Sequence, residues 1–220
     1  MARESKKARL QRMQGEYQLL CEEIPHPKCA LNFETPFELL VATVLSAQCT
    51  DKRVNETTPA LFKAYPTPQA MAQADVDDVE NIIHSLGFYR AKARNIVMLS
   101  QDLVNEFDGQ VPQDMKDLTS LPGVGRKTAN VVLGNAFHVP GFPVDTHVIR
   151  VTSRLHWRDD WNDKNATPEH IEQEITACFP PSEWVDLSHR LILHGRYICK
   201  ARRPLCEQCP LNQTCPSSLV

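Results

Sequence analysis

A glycine-rich turn between two stretches of helical periodicity decides the fold. Residues 121–130 read Leu-Pro-Gly-Val-Gly-Arg-Lys-Thr-Ala-Asn. Glycines at positions 123 and 125 permit positive φ and close approach of another molecule to the backbone. We expect the second helix to begin at about Gly125, so that its free N–H groups and the positive end of its dipole can bind one phosphate. Such a contact holds a nucleic-acid duplex in register without reading its sequence.

The turn differs from two common phosphate-binding motifs. The four-residue spacer that precedes Gly-Lys in a Walker loop is absent. No predicted strand comes before the turn, as a dinucleotide-binding fingerprint requires. A Gly-x-Gly pair alone is weak support for any function.

The remainder of the chain is predicted to be helical. Thr35 can cap a helix that has Pro36 in its first turn, and Glu38 can complete a capping box. Apolar residues then recur at helical spacing, whereas strict alternation is nearly absent. We therefore expect an all-α protein of roughly ten helices, with residues 140–143 (Pro-Gly-Phe-Pro) as the internal boundary.

Composition and charge narrow the class of protein. The 220 residues are 42% hydrophobic and 23% charged, as in soluble globular proteins, and we expect no secretory signal and no membrane association. The net charge of −3 argues mildly against a nucleic-acid partner. Two local clusters of basic residues weaken this argument, because each is equally compatible with phosphate binding and with a solvated surface. The first basic cluster is Arg126 with Lys127. The second basic cluster consists of His189, Arg190, His194, Arg196, Lys200, Arg202 and Arg203.

Four of the eight cysteines lie close together near the C-terminus. Cys199, Cys206, Cys209 and Cys215 are separated by six, two and five residues. Without a secretory signal a disulfide framework is not expected, and four thiolates suit either a tetrahedral zinc or a [4Fe–4S] cluster. Their spacing alone does not decide between the two.

Three motifs in order resemble the endonuclease III family, the bifunctional branch of the helix-hairpin-helix DNA glycosylases. They are residues 121–130, the Val-Asp-Thr-His sequence at 144–147, and the four spaced cysteines, and the resemblance runs from about Leu31 to Cys215. It implies a six-helix domain at 29–139 that contains the hairpin, and a second domain built from 1–28 and 140–220. It also implies a [4Fe–4S] cluster on Cys199, Cys206, Cys209 and Cys215.

The resemblance further implies base-excision repair of oxidised pyrimidines in duplex DNA. Lys127 would attack C1′ of the damaged nucleotide, form an imine and allow β-elimination at the resulting abasic site. Asp145 would stabilise the positive charge on the sugar and accept the amine proton. A helix N-terminus, neighbouring Arg126 and desolvation would favour the uncharged amine. From local pattern alone, Lys127 is more simply a phosphate contact and Asp145 an N-cap.

Further DNA contacts follow from the same resemblance. The damaged nucleotide must leave the duplex, so Gln48 is expected to face the orphan base and Phe88, with Leu86 beside it, to wedge between bases. Phe88 can instead be a core aromatic. The backbone of the hairpin would bind phosphate through Gly123, Gly125, Arg126 and Thr128. His147 would orient Asp145 or a phosphate, or serve only the structure; Cys49 receives no catalytic role.

Two alternatives remain open at this stage. A monofunctional glycosylase of adenine or mismatch type is opposed by Lys127 and by the lack of a further domain after Cys215. A non-catalytic DNA-binding iron–sulfur module is the other. In each case we expect a monomer acting on double-stranded DNA in the bacterial cytoplasm or nucleoid.

Overall fold

The computed structural model describes residues 4–220, and the predicted all-α class is confirmed: these residues contain no strand. Within residues 4–220, eleven α-helices are connected by loops, with single 3₁₀ turns at Pro181–Glu183 and Cys206–Gln208. In chain order the helices are α1 (Lys6–Glu23), α2 (Pro36–Leu45), α3 (Asp51–Ala64), α4 (Pro68–Ala72), α5 (Val76–Ile83), α6 (Tyr89–Glu106), α7 (Met115–Ser120), α8 (Arg126–Phe137), α9 (Thr146–Arg154), α10 (Pro168–Thr176) and α11 (Trp184–Tyr197). Of the helices in the described part, none combines the length and apolarity that a bilayer crossing demands.

The chain divides into two compact units. One unit is Cys29–Val139, and the other combines residues up to Lys28 with Pro140–Val220. The first unit holds α2 to α8, which is seven helices rather than the expected six. The shortest of them is α4, a five-residue helix that Thr67 caps and that begins at Pro68. We call the two units the hairpin unit and the cysteine unit.

Helix α2 forms the centre of the hairpin unit. Thr35 caps its N-terminus by accepting a hydrogen bond from the Glu38 backbone N–H at 3.2 Å. Glu38 does not complete the expected capping box, because its carboxylate accepts from the backbone N–H of Glu34 at 2.6 Å instead of that of Thr35. The residues from Leu39 to Leu45 are all buried, since α3, α6 and α8 pack around this helix.

The cysteine unit is built on α1, α9 and α11. Glu16 of α1 is buried and accepts hydrogen bonds from Trp157 Nε1 at 2.5 Å and from Arg12 Nη1 at 3.1 Å. Burial raises the pKa of the Glu16 carboxyl, although both donors favour the charged form. The same helix supplies Tyr17, whose hydroxyl accepts a bond from Arg190 Nη1 of α11 at 2.8 Å. Polar contacts therefore lie inside this unit as well as on its surface.

The interpretation of the second basic cluster needs correction. His189, Arg190 and His194 are at most 9% exposed and lie inside the cysteine unit. Arg190 donates to the Ile24 carbonyl at 3.0 Å, and His194 Nδ1 contacts Glu23 at 2.8 Å. Arg190 and His194 thereby tie α11 to the end of α1. Of the seven residues in that cluster, Lys200, Arg202 and Arg203 are exposed.

Candidate active site

The turn between α7 and α8 needs one of its two glycines. Gly123 has φ 77°, and a Cβ built there would lie 2.8 Å from Asn95 Nδ2 and 3.1 Å from Asn95 Cβ. Gly125 is extended at φ −93° and a Cβ there would meet nothing within 4 Å. The expectation of positive φ is therefore correct for Gly123 and wrong for Gly125. Gly125 is the N-cap of α8, and because it has no side chain, the helix begins without a side-chain cap.

Lys127 lies in the first turn of α8 and is exposed. Arg126 is exposed beside it, and Thr128 is partly buried. The next residues, Ala129 and Asn130, are buried on the face of α8 that packs toward α2. The apolar face of α8 thus fixes which residues point outward. A primary amine stands at an uncapped, positively polarised helix end, where phosphate and a nearby sugar would be approached together.

Asp145 is the N-cap of α9, as the simpler interpretation had it. Its Oδ1 accepts hydrogen bonds from the backbone N–H groups of His147 at 2.8 Å and Val148 at 2.9 Å. Because both bonds end on one oxygen, Oδ2 takes no part in the cap. The cap consequently orients the carboxylate while leaving one oxygen for another role.

His147 belongs to a network that links α9 to α11 and to the first clustered cysteine. Its Nδ1 lies 3.0 Å from Nη2 of Arg150, so the imidazole accepts there and keeps its proton on Nε2. Arg150 also donates to the Gly195 carbonyl at 2.8 Å and to the Cys199 carbonyl at 3.1 Å. Burial lowers the pKa of the Arg150 guanidinium. Gly195 allows this close packing, since a Cβ there would lie 2.9 Å from His147 Cβ.

Gln48 and Phe88 share an unusual backbone conformation. Both are exposed non-glycine residues with positive φ, 54° for Gln48 and 57° for Phe88. Phe88 is 68% exposed, so the alternative of a core aromatic is wrong. The two loops are neighbours, because a Cβ built at Gly87 would lie 3.9 Å from the Gln48 carbonyl oxygen. Exposed non-glycine residues held in this backbone conformation often lie at binding sites.

Leu86 does not share this exposure. It is 1% exposed and belongs to the core of the hairpin unit. Its assignment as a DNA contact is therefore corrected: within the α5–α6 connection Leu86 is buried, whereas Phe88 is exposed.

The four clustered cysteines form no disulfide and line one cavity of the cysteine unit. Val151, Arg154, Leu155, His194 and Ile198 line the same cavity. Arg154 Nη1 lies 3.3 Å from Cys199 Sγ, and His194 Nε2 lies 3.7 Å from Cys209 Sγ. Burial raises the pKa of the Cys209 thiol to about 11, so a bound cation would be needed to hold it as thiolate at neutral pH.

Four thiolates around one cavity are a donor set that an iron–sulfur cluster uses. The donor set fits an iron–sulfur cluster, with basic side chains beside its thiolates.

Sequence reasoning missed three residues that support these sites. Asn95 packs against Gly123, Arg150 carries the network of α9, and Arg154 donates to both the sulfur of Cys199 and the carbonyl of Lys200. A signal existed for the two arginines, which lie four residues apart on α9 directly after the Val-Asp-Thr-His motif. No comparable signal marks Asn95, because its partner is distant in sequence.

Comparisons with known proteins agree with this geometry. Residues 41–180 match the family model of HhH-GPD superfamily base excision DNA repair proteins, and residues 199–215 match the iron–sulfur binding domain of endonuclease III. Endonuclease III of Synechocystis is 49% identical over 88% of this chain and 87% of its own length. A non-covalent endonuclease III–DNA complex superimposes with TM-score 0.87 at 44% identity, covering 94% of this chain and 95% of that one. A trapped covalent endonuclease III–DNA intermediate gives 0.86 at 44% identity, covering 94% and 96%.

Proposed function

Because the chain belongs to the HhH-GPD superfamily of base excision DNA repair proteins, in its endonuclease III family, we propose that Lys127 is the nucleophile of a DNA glycosylase with abasic lyase activity. The substrate we propose is an oxidised pyrimidine in double-stranded DNA. The amine of Lys127 attacks C1′, the base departs, and the resulting imine permits β-elimination of the 3′ phosphate. The enzyme carries a [4Fe–4S] cluster, for which Cys199, Cys206, Cys209 and Cys215 are the ligands.

In this proposal Asp145 stabilises the charge that develops as the base leaves. The sugar becomes cationic as the glycosidic bond breaks, and a fixed carboxylate lowers the energy of that state. Oδ1 of Asp145 is held by two backbone N–H groups, which leaves Oδ2 for the sugar or for the proton of the amine. His147 and Arg150 position the start of α9 and thereby the carboxylate; they do not need to touch the substrate.

Gln48 and Phe88 would replace the extruded nucleotide in the duplex. An exposed aromatic ring can stack between bases, and an exposed amide can pair with the orphan base. Gly123, Gly125, Arg126 and Thr128 would hold a backbone phosphate at the start of α8. The cluster, when bound, supplies no redox step to this reaction; its ligands hold the C-terminal segment with Lys200, Arg202 and Arg203 exposed for DNA.

One observation carries the proposal: Lys127 is an exposed amine in the first turn of a helix whose N-cap is a bare glycine. The test uses duplexes with one oxidised pyrimidine, uracil, a mismatch or an abasic site. We expect strand breaks on the oxidised-pyrimidine and abasic duplexes. Release of the base without a break would instead indicate a monofunctional glycosylase, and the absence of both would indicate a DNA-binding module.

We further propose that one copy of the chain acts alone on the DNA of the bacterial cytoplasm or nucleoid. Each residue invoked above is supplied by a single chain. Sedimentation of the enzyme with an abasic duplex at equal concentrations tests this, since it predicts a complex of one chain per lesion.

A further inference from the structure

A buried lysine and a cysteine form a pair beneath the two exposed loops of the hairpin unit. Nζ of Lys92 lies 3.2 Å from Sγ of Cys49. Lys92 is 5% exposed, whereas the Cys49 side chain is only partly buried. The glycosylase chemistry proposed above uses neither residue.

The pair is unusual because the acceptor of the buried lysine is a thiol and not a carboxylate. A buried ammonium is ordinarily paired with a carboxylate or several carbonyl oxygens, since a buried charge without partners is costly. Lys92 Nζ instead donates to a single thiol, which is a weak acceptor. A primary amine and a thiol are thus held in contact at a site that small molecules can reach from the Cys49 side.

The pair is adjacent to both Gln48 and Phe88. Cys49 follows Gln48 in the chain, and the backbone N–H of Lys92 bonds to the Phe88 carbonyl at 3.1 Å. A Cβ built at Gly87 would lie 3.9 Å from both Cys49 Sγ and the Gln48 carbonyl oxygen. We therefore expect a covalent link at Cys49 Sγ to displace the loops that present Gln48 and Phe88.

We propose that Cys49 and Lys92 are a modification site, at which a hydroperoxide joins the two side chains through a sulfur–nitrogen bond. In the first step the thiolate of Cys49 attacks the peroxide, the O–O bond breaks, sulfur is oxidised by two electrons to a sulfenic acid, and hydroxide or alkoxide leaves. In the second step the neutral amine of Lys92 attacks that sulfur, the S–O bond breaks, and water leaves with the amine proton. Hydrogen peroxide is thereby reduced to two molecules of water.

The bond is reversible by thiols. One thiol attacks the sulfur of Cys49 and releases the amine of Lys92, and a second thiol then displaces Cys49 and forms a disulfide with the first. Because a covalent S–N bond is far shorter than the 3.2 Å contact, its formation pulls Cys49, with Gln48, toward the start of α6. The consequence for repair rests on the proposed function, whereas the bond itself does not.

Mass spectrometry tests the bond on the iron-loaded protein. After mild hydrogen peroxide treatment, tryptic digestion is expected to give residues 29–52 joined to residues 91–94, two hydrogen atoms lighter than the sum, with fragmentation placing the link at Cys49 and Lys92. Dithiothreitol should remove it. Cys178 is the matched control, because its thiol contacts a backbone carbonyl, that of Glu174 at 3.5 Å, and should form no link. A Cys49 that gains only oxygen, or remains unmodified while Cys178 is oxidised, overturns the proposal.

Strand-nicking activity tests the consequence. Peroxide should slow nicking by roughly tenfold, since small displacements of positioning groups reduce rates steeply, and dithiothreitol should restore it. Cys49→Ala should be active before and after treatment, with absorbance at about 400 nm showing that the cluster is intact in both. Equal inhibition of Cys49→Ala and wild type would contradict the regulatory role. Untreated wild type that fails to nick would refute the proposed function, and the mass-spectrometric result would still stand.

Discussion

In the proposed mechanism, Asp145 combines a structural and a chemical task in one side chain. Its Oδ1 satisfies two backbone N–H groups of α9, and the reaction needs only a negative charge that is held still. The two tasks can be separated by substitution, because asparagine keeps an acceptor for the cap and loses the charge.

Asp145→Asn is expected to lower the rate of base release by about a hundredfold while changing the free energy of unfolding by less than about 0.5 kcal/mol. Asp145→Ala should lose the cap as well, at about 1 kcal/mol. Single-turnover base release and urea unfolding provide the two readouts. A fully active Asp145→Asn would show that the residue is only a cap.

We expect alanine substitutions at the two glycines of the hairpin to differ in their effect on the free energy of unfolding. Gly123 has positive φ and no space for a Cβ, whereas Gly125 is extended with open space around it. Gly123→Ala should lower the free energy of unfolding by about 1–3 kcal/mol. Gly125→Ala should leave it nearly unchanged and serves as the matched control for urea unfolding. Equal effects at both positions would contradict the conformations described for this turn.

At the scale of elements, α9 connects the proposed catalytic carboxylate to the cysteine cluster. Arg150 bonds both the Gly195 and Cys199 carbonyls, and lysine cannot reproduce the fork of its guanidinium. Arg150→Lys should lower the free energy of unfolding by about 1–3 kcal/mol and slow base release, with iron content retained. Arg94→Lys, on an exposed face of α6, is the control in calorimetry and activity assays. Wild-type stability and rate in Arg150→Lys would refute this link.

The elements also show what can be predicted from sequence. The cap at Thr35, the helix that starts at Pro36 and the helix that follows the Gly-x-Gly turn were predictable, because caps, proline and apolar spacing are local signals. The burial of Arg190 and His194 was not, since their partners Tyr17 and Glu23 lie more than a hundred residues away. Leu86 and Phe88 are two residues apart yet lie inside and outside, which only the packed core decides.

For the candidate site, too, residues in local motifs could be proposed from the sequence, whereas residues that act through distant contacts could not. Lys127, Asp145 and the cysteines stand in motifs that resemble a family, so they could be named from sequence. Arg150, Asn95 and the Lys92–Cys49 pair act through contacts between distant segments, and their roles became visible only once the chain was folded.

For the molecule as a whole, one buried histidine makes stability depend on pH. Burial lowers the pKa of His189 below the value of about 6.5 that it has in an unfolded chain. Between these two values the unfolded chain binds a proton that the folded protein does not, so the free energy of unfolding falls as pH decreases through about 6.5.

His189→Gln should flatten that decrease by up to about 1.4 kcal/mol per pH unit. Urea unfolding at several pH values measures the slope of the free energy of unfolding against pH. The raised pKa of Glu16 contributes to this slope with the opposite sign, and the comparison of the variant with wild type separates the contribution of His189 from it. An unchanged slope in the variant would contradict the assignment.

The cluster is expected to hold the C-terminal segment together. Iron analysis should give about four irons per chain, with broad absorbance at about 400 nm. Cys199→Ser should lose iron and lower the melting temperature, whereas Cys178→Ser, outside the cavity, should do neither. A colourless wild-type protein with stoichiometric zinc would contradict the cluster.

The most direct test of the central claim is borohydride trapping on an abasic duplex. Reduction of an imine should join wild type to DNA, with the modified peptide containing Lys127, and Lys127→Ala should give no adduct. Lys116→Ala, which removes another exposed lysine of the same hairpin, should trap like wild type. An adduct of equal yield with Lys127→Ala, or none with wild type under conditions where a known lyase is trapped, would contradict the account.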